Sequence, residues 1–134
     1  MENWSKKVHV TSSLERKSNQ FSLFVGRWQP LHVAHKELFK QVLDEGGNVC
    51  IAVRDTQTDS KNPFTSTEVL QNISNEYREL IEQGRVKVIV MPDICSVEFG
   101  RGVGYDIIER IPPTEIAEIS ATKIREKLNI NESK

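Results

Sequence analysis

Apolar residues gather in three short runs, at 21–25, 48–53 and 86–91, and the stretches between them switch to a helical period. Aromatic and β-branched side chains fill the runs, so they read as strands. Residues 35–43 put Leu38, Phe39 and Val42 on one helix face, and Gly46-Gly47 stops the pattern. A second helical stretch opens at Thr65-Ser66-Thr67-Glu68, which has capping-box spacing. It presents Val69, Leu70, Ile73, Tyr77, Leu80 and Ile81 to a sheet and ends at Gly84. A third, at 121–128, follows Ser120 as N-cap. Strands alternating with helices predict an α/β domain with a Rossmann-like parallel sheet and helices on both faces. Ligands in such sheets bind beyond the carboxyl ends of the strands. The domain is expected over 21–128. Residues 1–20, polar with only Val8, Val10 and Leu14 apolar, are expected to be a loose arm or a short edge strand, and 129–134 a short tail.

Composition narrows the partners. The chain has 134 residues, enough for one core, and its 37% apolar and 28% charged residues are those of a globular protein. A net charge of −1 argues against broad nucleic-acid binding, so any polyanion site must be local. Cys50 lies in a strand pattern and Cys95 in a loop, without metal-ligand spacing, and both read as incidental thiols rather than a disulfide. Met1-Glu2-Asn3-Trp4-Ser5-Lys6-Lys7 leads into no long apolar stretch, so neither a signal peptide nor a membrane span is expected and the cytoplasm is the expected location. Monomer and homo-oligomer both stay open.

The richest segment is 21–35. The first strand breaks at Gly26 and Pro30, and His32 and His35 then lead into the first helix. Residues three apart share a helix face, so both imidazoles can address one target together with the free N–H groups and the positive end of the helix dipole. Phosphate fits this donor set. Zinc fits less well, because a metal pair wants further ligands and the remaining histidine, His9, lies in the arm. No metal site of the protein's own is expected.

Gly26-Arg27-Trp28-Gln29-Pro30-Leu31-His32-Val33-Ala34-His35 resembles the Gly-Arg-Phe-Gln-Pro-x-His-x-Gly-His signature of the nucleotidylyltransferase superfamily. Its Arg-Trp-Gln-Pro is most similar to archaeal-type nicotinamide mononucleotide adenylyltransferases. Ile119-Ser120-Ala121-Thr122-Lys123-Ile124-Arg125 resembles the superfamily's second signature, Ile-Ser-x-Thr-x-x-Arg, and cytidylyltransferases carry related versions of both. Ser120 would cap a helix, with Thr122 adding a hydroxyl and Arg125 a rigid guanidinium fork.

The resemblance implies a reaction. An acceptor phosphate attacks the α-phosphorus of a nucleoside triphosphate, pyrophosphate leaves, and no covalent enzyme intermediate forms. His32, His35 and Arg125 would be catalytic, while Gly26, Arg27, Trp28, Ala34, Ser120, Ala121 and Thr122 would bind the nucleotide. Magnesium would arrive with the triphosphate. AMP transfer from ATP to a phosphorylated small molecule, with nicotinamide mononucleotide among the candidates, is the first reading. CTP is the alternative, and a nucleotide-binding module without turnover the rival of another class. An aminoacyl-tRNA synthetase fragment, which shares the His-x-x-His idea, is not expected, given a net charge of −1 and the short chain.

Other positions are less decided. Arg54-Asp55 and Asp93 follow the second and third strands and could be either solvated loop residues or acceptor contacts. Asn62-Pro63-Phe64-Thr65 either borders the site or only opens a helix. Phe99-Gly100-Arg101-Gly102-Val103-Gly104-Tyr105 could bring Arg101 and its backbone to an anionic acceptor, or be a plain turn. Ala34 replaces the family's glycine, whose lack of a side chain lets backbone approach the nucleotide. Whether the histidines are protonated is open: a helix N-terminus lowers a histidine pKa and a triphosphate raises it.

Overall fold

The computed structural model describes residues 19–100 and 106–111. Three strands, β1 (Phe21–Gly26), β2 (Asn48–Asp55) and β3 (Val86–Pro92), form a parallel sheet in the order β1-β2-β3. Val25 pairs with Ala52 and Ala52 with Ile89, so the carboxyl ends of all three strands meet at one edge. Helix α1 (Val33–Asp44) crosses from β1 to β2, and α2 (Ser66–Glu76) with α3 (Arg78–Glu82) crosses from β2 to β3. Successive right-handed crossovers in one direction put all three helices on the same face. The predicted Rossmann-like parallel sheet is therefore present, and of the helices expected on both of its faces the three described ones all lie on one. The helix expected at 121–128 lies outside the described residues, as do most of the arm and the tail.

The alternation of β2 shows how the core is made. Val49, Ile51 and Val53 are fully buried, and they join Phe39 and Val42 of α1, Val69 and Ile73 of α2, and Val86 in one cluster. Phe39 is its centre, edge-on to Phe24 at 5.0 Å, Trp28 at 5.3 Å and Tyr77 at 6.0 Å. Such edge-to-face contacts favour these rings beyond the area they bury. On the other face, Leu23 and Ile89 are 55% and 44% exposed among the described residues.

The helix ends explain where the sequence expectations shift. α1 starts two residues earlier than the period suggests, because His32 caps it. Gly46, at φ 85°, turns the chain after it, with its N–H on Leu43 O at 3.0 Å and that of Gly47 on Val42 O at 2.9 Å. Arg85 donates to Leu43 O and Gly47 O at 2.9 and 2.8 Å, tying the end of α1 to the start of β3. The second helical stretch is two helices rather than one. Tyr77 leaves helical geometry (φ −110°, ψ 23°), and the bend keeps Leu80 and Ile81 of α3 against the core. Leu70, expected to face the sheet, is only half-buried.

Candidate functional site

The turn between β1 and α1 is built from the inside outward. Trp28 takes a left-handed backbone conformation at φ 52°, which costs a non-glycine residue about 1–2 kcal/mol. Its indole Nε1–H donates to Ala52 O at 3.0 Å, and the residue is 7% exposed. Next to it Gln29, 3% exposed, donates from Nε2 to Phe64 O and accepts at Oε1 from Phe64 N–H, both at 2.9 Å. One side-chain amide thus satisfies both backbone groups of Phe64 and ties the turn to the entry of α2. The segment 62–65, left between two roles by its sequence, is in this way joined to the histidine turn.

This frame fixes the imidazoles. His32 is the N-cap of α1, and its Nδ1 accepts from Ala34 N–H at 3.2 Å. His35 stands at the third helical position and its Nδ1 accepts from His32 N–H at 3.3 Å. The two form a reciprocal capping box, the geometry usually made by Ser or Thr with Glu or Gln. The rings stack with centroids 3.7 Å apart and planes 23° from parallel. Because both Nδ1 atoms accept, each neutral ring carries its proton on Nε2. The pair therefore offers two Nε2–H donors side by side.

Burial keeps these rings neutral. Desolvation lowers the pKa of His32, and desolvation followed by the neighbouring His32 lowers that of His35 to about 4. Both shifts favour the neutral rings in the unliganded site. No acidic residue occupies the first turn of α1, so nothing there opposes an incoming anion.

The remaining candidates fall in three groups. Gly26, Trp28, Ala34, His32 and His35 are brought together at the β1–α1 turn, and Arg27 is exposed beside them. Trp28 and Ala34 are buried, so neither offers much surface to a ligand. At the neighbouring strand ends Arg54 Nη2 binds Asp93 Oδ1 at 2.6 Å and Ile94 O at 2.9 Å. Arg54 Nε and Thr56 Oγ1 are buried there without a hydrogen-bond partner. Arg101, Ser120, Ala121, Thr122 and Arg125 lie outside the described residues. Gln29 and Thr56 are the positions that sequence reasoning passed over. Gln29 stood inside the signature, whereas Thr56 had only its place after a strand to mark it.

A cleft of about 160 Å³ opens behind the turn, lined by Trp28, Leu31, Phe64 and Ile73 and rimmed by the Lys36–Glu76 ion pair at 2.6 Å. The histidines do not line it. Among the described residues no three His, Cys, Asp or Glu side chains cluster as metal ligands, and no helix is long and apolar enough to cross a membrane. Cys50 and Cys95 are both free thiols.

Comparison with known proteins agrees with this geometry. Residues 23–74 match the family model described as cytidylyltransferase-like. The chain is 35% identical over 75 residues to a nicotinamide-nucleotide adenylyltransferase of Thermococcus sibiricus, covering 54% of this chain and 40% of that one. It is 33% identical over 75 residues to the enzyme of that name from Saccharolobus solfataricus, covering 54% and 44%. For the Pyrococcus furiosus enzyme the figures are 36% over 76 residues, 54% and 40%. The chain thus spans about two fifths of the length of these relatives, and the resemblance read from the first signature is borne out.

Proposed function

From the cytidylyltransferase-like character of residues 23–74, we propose that this chain acts as a nucleotidylyltransferase, moving AMP from ATP to a phosphorylated small molecule with release of pyrophosphate. The observation that carries the reading is the stacked His32–His35 pair, with both Nδ1 atoms accepting and so the proton of each neutral ring on Nε2, at a helix start free of first-turn carboxylates. The acceptor's phosphate oxygen bonds to the α-phosphorus as the bond from that phosphorus to the β-bridging oxygen breaks, and pyrophosphate carries away the electron pair. The two Nε2–H groups donate to phosphate oxygens and stabilise charge as it builds on the five-coordinate centre. Alignment of the two substrates does the rest. Magnesium belongs to the triphosphate and is carried in with it.

Ser120, Ala121, Thr122 and Arg125 are proposed as the second phosphate clamp, on the strength of their signature alone. The acceptor is assigned to the ends of β2 and β3. Arg54, held by Asp93, is proposed to meet its phosphate, and the unpartnered Arg54 Nε and Thr56 Oγ1 support a polar ligand there. Arg101 is proposed as a further acceptor contact. The relatives' names favour nicotinamide mononucleotide as acceptor, while the description of the matching family favours CTP as the alternative donor.

The test is pyrophosphate release from ATP, CTP, GTP and UTP, each crossed with phosphorylated acceptors including nicotinamide mononucleotide. Product is expected with ATP, and His35→Ala should lower kcat far more than it weakens ATP binding. Measurable triphosphate binding with no product for any pair would leave a binding module and refute the reading.

A further inference from the structure

The Trp28 indole, which lines the cleft, is also in contact with the His35 ring. Trp28 meets the His35 ring edge-on, with centroids 4.8 Å apart and planes at 86°. Its own position is fixed from three sides. Phe39 packs on it at 5.3 Å, Ala52 O holds Nε1 at 3.0 Å, and Gly26 lies against the six-membered ring. A Cβ on Gly26 would fall 2.8 Å from Trp28 Cε2 and Cζ2, closer than real Cβ contacts come. The glycine that ends β1 is thus matched to the indole. The left-handed backbone at Trp28 folds the ring back over that glycine. An αL tryptophan persists only where its surroundings over-determine it.

We propose that Trp28 is a positioning residue of the histidine pair: wedged over Gly26 and anchored to the β2 backbone, it braces His35 so that the stacked rings present their Nε2–H groups in one fixed direction. Gly26 is a glycine to admit the indole. Trp28 acts through His35 and touches no reacting atom. The role in turnover rests on the nucleotidylyltransferase reading above, but the bracing itself does not. His32 is the titratable group that acts on His35 from the same turn, and Lys36, its neighbour on α1, is paired with Glu76.

The experiment follows the His35 ring by NMR titration of the unliganded full chain, in Trp28→Leu, Trp28→Phe and Gly26→Ala. Trp28→Leu is expected to raise the His35 midpoint by about one unit as solvent reaches the ring, and Gly26→Ala to move it the same way by pushing the indole aside. Trp28→Phe keeps a ring edge on His35 and should stay near the native midpoint. Kinetically, Trp28→Leu should lower kcat about 10- to 100-fold with little change in KM for ATP, and Trp28→Phe should recover most of it. A native His35 midpoint in Trp28→Leu overturns the proposal, as does a loss confined to KM. If Trp28→Leu does not fold, Gly26→Ala and Trp28→Phe decide: equal midpoints overturn the proposal, and a shift in Gly26→Ala alone supports it. A wild-type chain without nucleotidyl transfer would end the functional reading, while the titrations would still decide the bracing.

Discussion

His35 is expected to make stability fall in mild acid, because burial and the adjacent His32 hold its pKa down. In the unfolded chain its imidazole titrates at 6.5, and in the fold burial and the adjacent His32 bring it to about 4. Between those values the unfolded chain binds a proton that the folded ring refuses. The stability associated with this depressed pKa is fully present above 6.5 and is lost as pH falls toward about 4. Integrating over that window from about pH 7 to about pH 5 gives a loss of about 2 kcal/mol, reduced to about 1 by solvent reaching a half-buried ring. Carboxylates titrate too, so the assay is a difference. Urea unfolding of the wild type and His35→Gln is measured at both pH values, since Gln keeps the acceptor that the capping box needs and removes the titration. The wild type should lose about 1–2 kcal/mol more than the variant. Equal losses within about 0.3 kcal/mol would mean that His35 is not held neutral by its surroundings.

Two further substitutions test the frame around the site. Phe39→Ala removes the ring on which Phe24, Trp28 and Tyr77 converge and should cost about 3–5 kcal/mol, read as a lower urea midpoint at unchanged slope. Thr65→Ala deletes the hydroxyl that accepts from Glu68 N–H at 3.1 Å and should cost about 1 kcal/mol, with the melting temperature as readout.

The sheet was legible because its strands are short apolar runs and its helices carry their own stop signals. In β2 the alternate residues Val49, Ile51 and Val53 enter the core as the pattern predicts, while Ala52 between them, on the opposite face, is fully buried as well. Tyr77 was not legible as a break. It has the helical spacing of a core residue, and the break between α2 and α3 shows only in its backbone angles, with its ring against Phe39. The start of α1 is hidden in the sequence for a related reason: histidine is an unusual N-cap, and reciprocal bonding with a second histidine leaves no standard composition cue. At the site, the convergence of His32 and His35 followed from their spacing. Their tautomers and neutrality did not, because these depend on which backbone N–H each Nδ1 meets and on how deeply the turn is buried.

Ala34 illustrates the same division between pattern and placement. By sequence its methyl stands where the family's glycine gives close approach to the nucleotide. In the fold it is the second residue of α1, 8% exposed, and its N–H is the group that fixes the His32 tautomer. Any residue except proline supplies that N–H. Alanine also favours the helix over glycine by up to about 1 kcal/mol. The methyl therefore strengthens the helix that carries both rings and leaves their hydrogen bonds unchanged. The demanding position in this turn is Gly26, where a single added carbon would strike the indole that braces His35. Tolerance to a side chain here is set by what lies beneath the backbone, and Gly26 lies over Trp28.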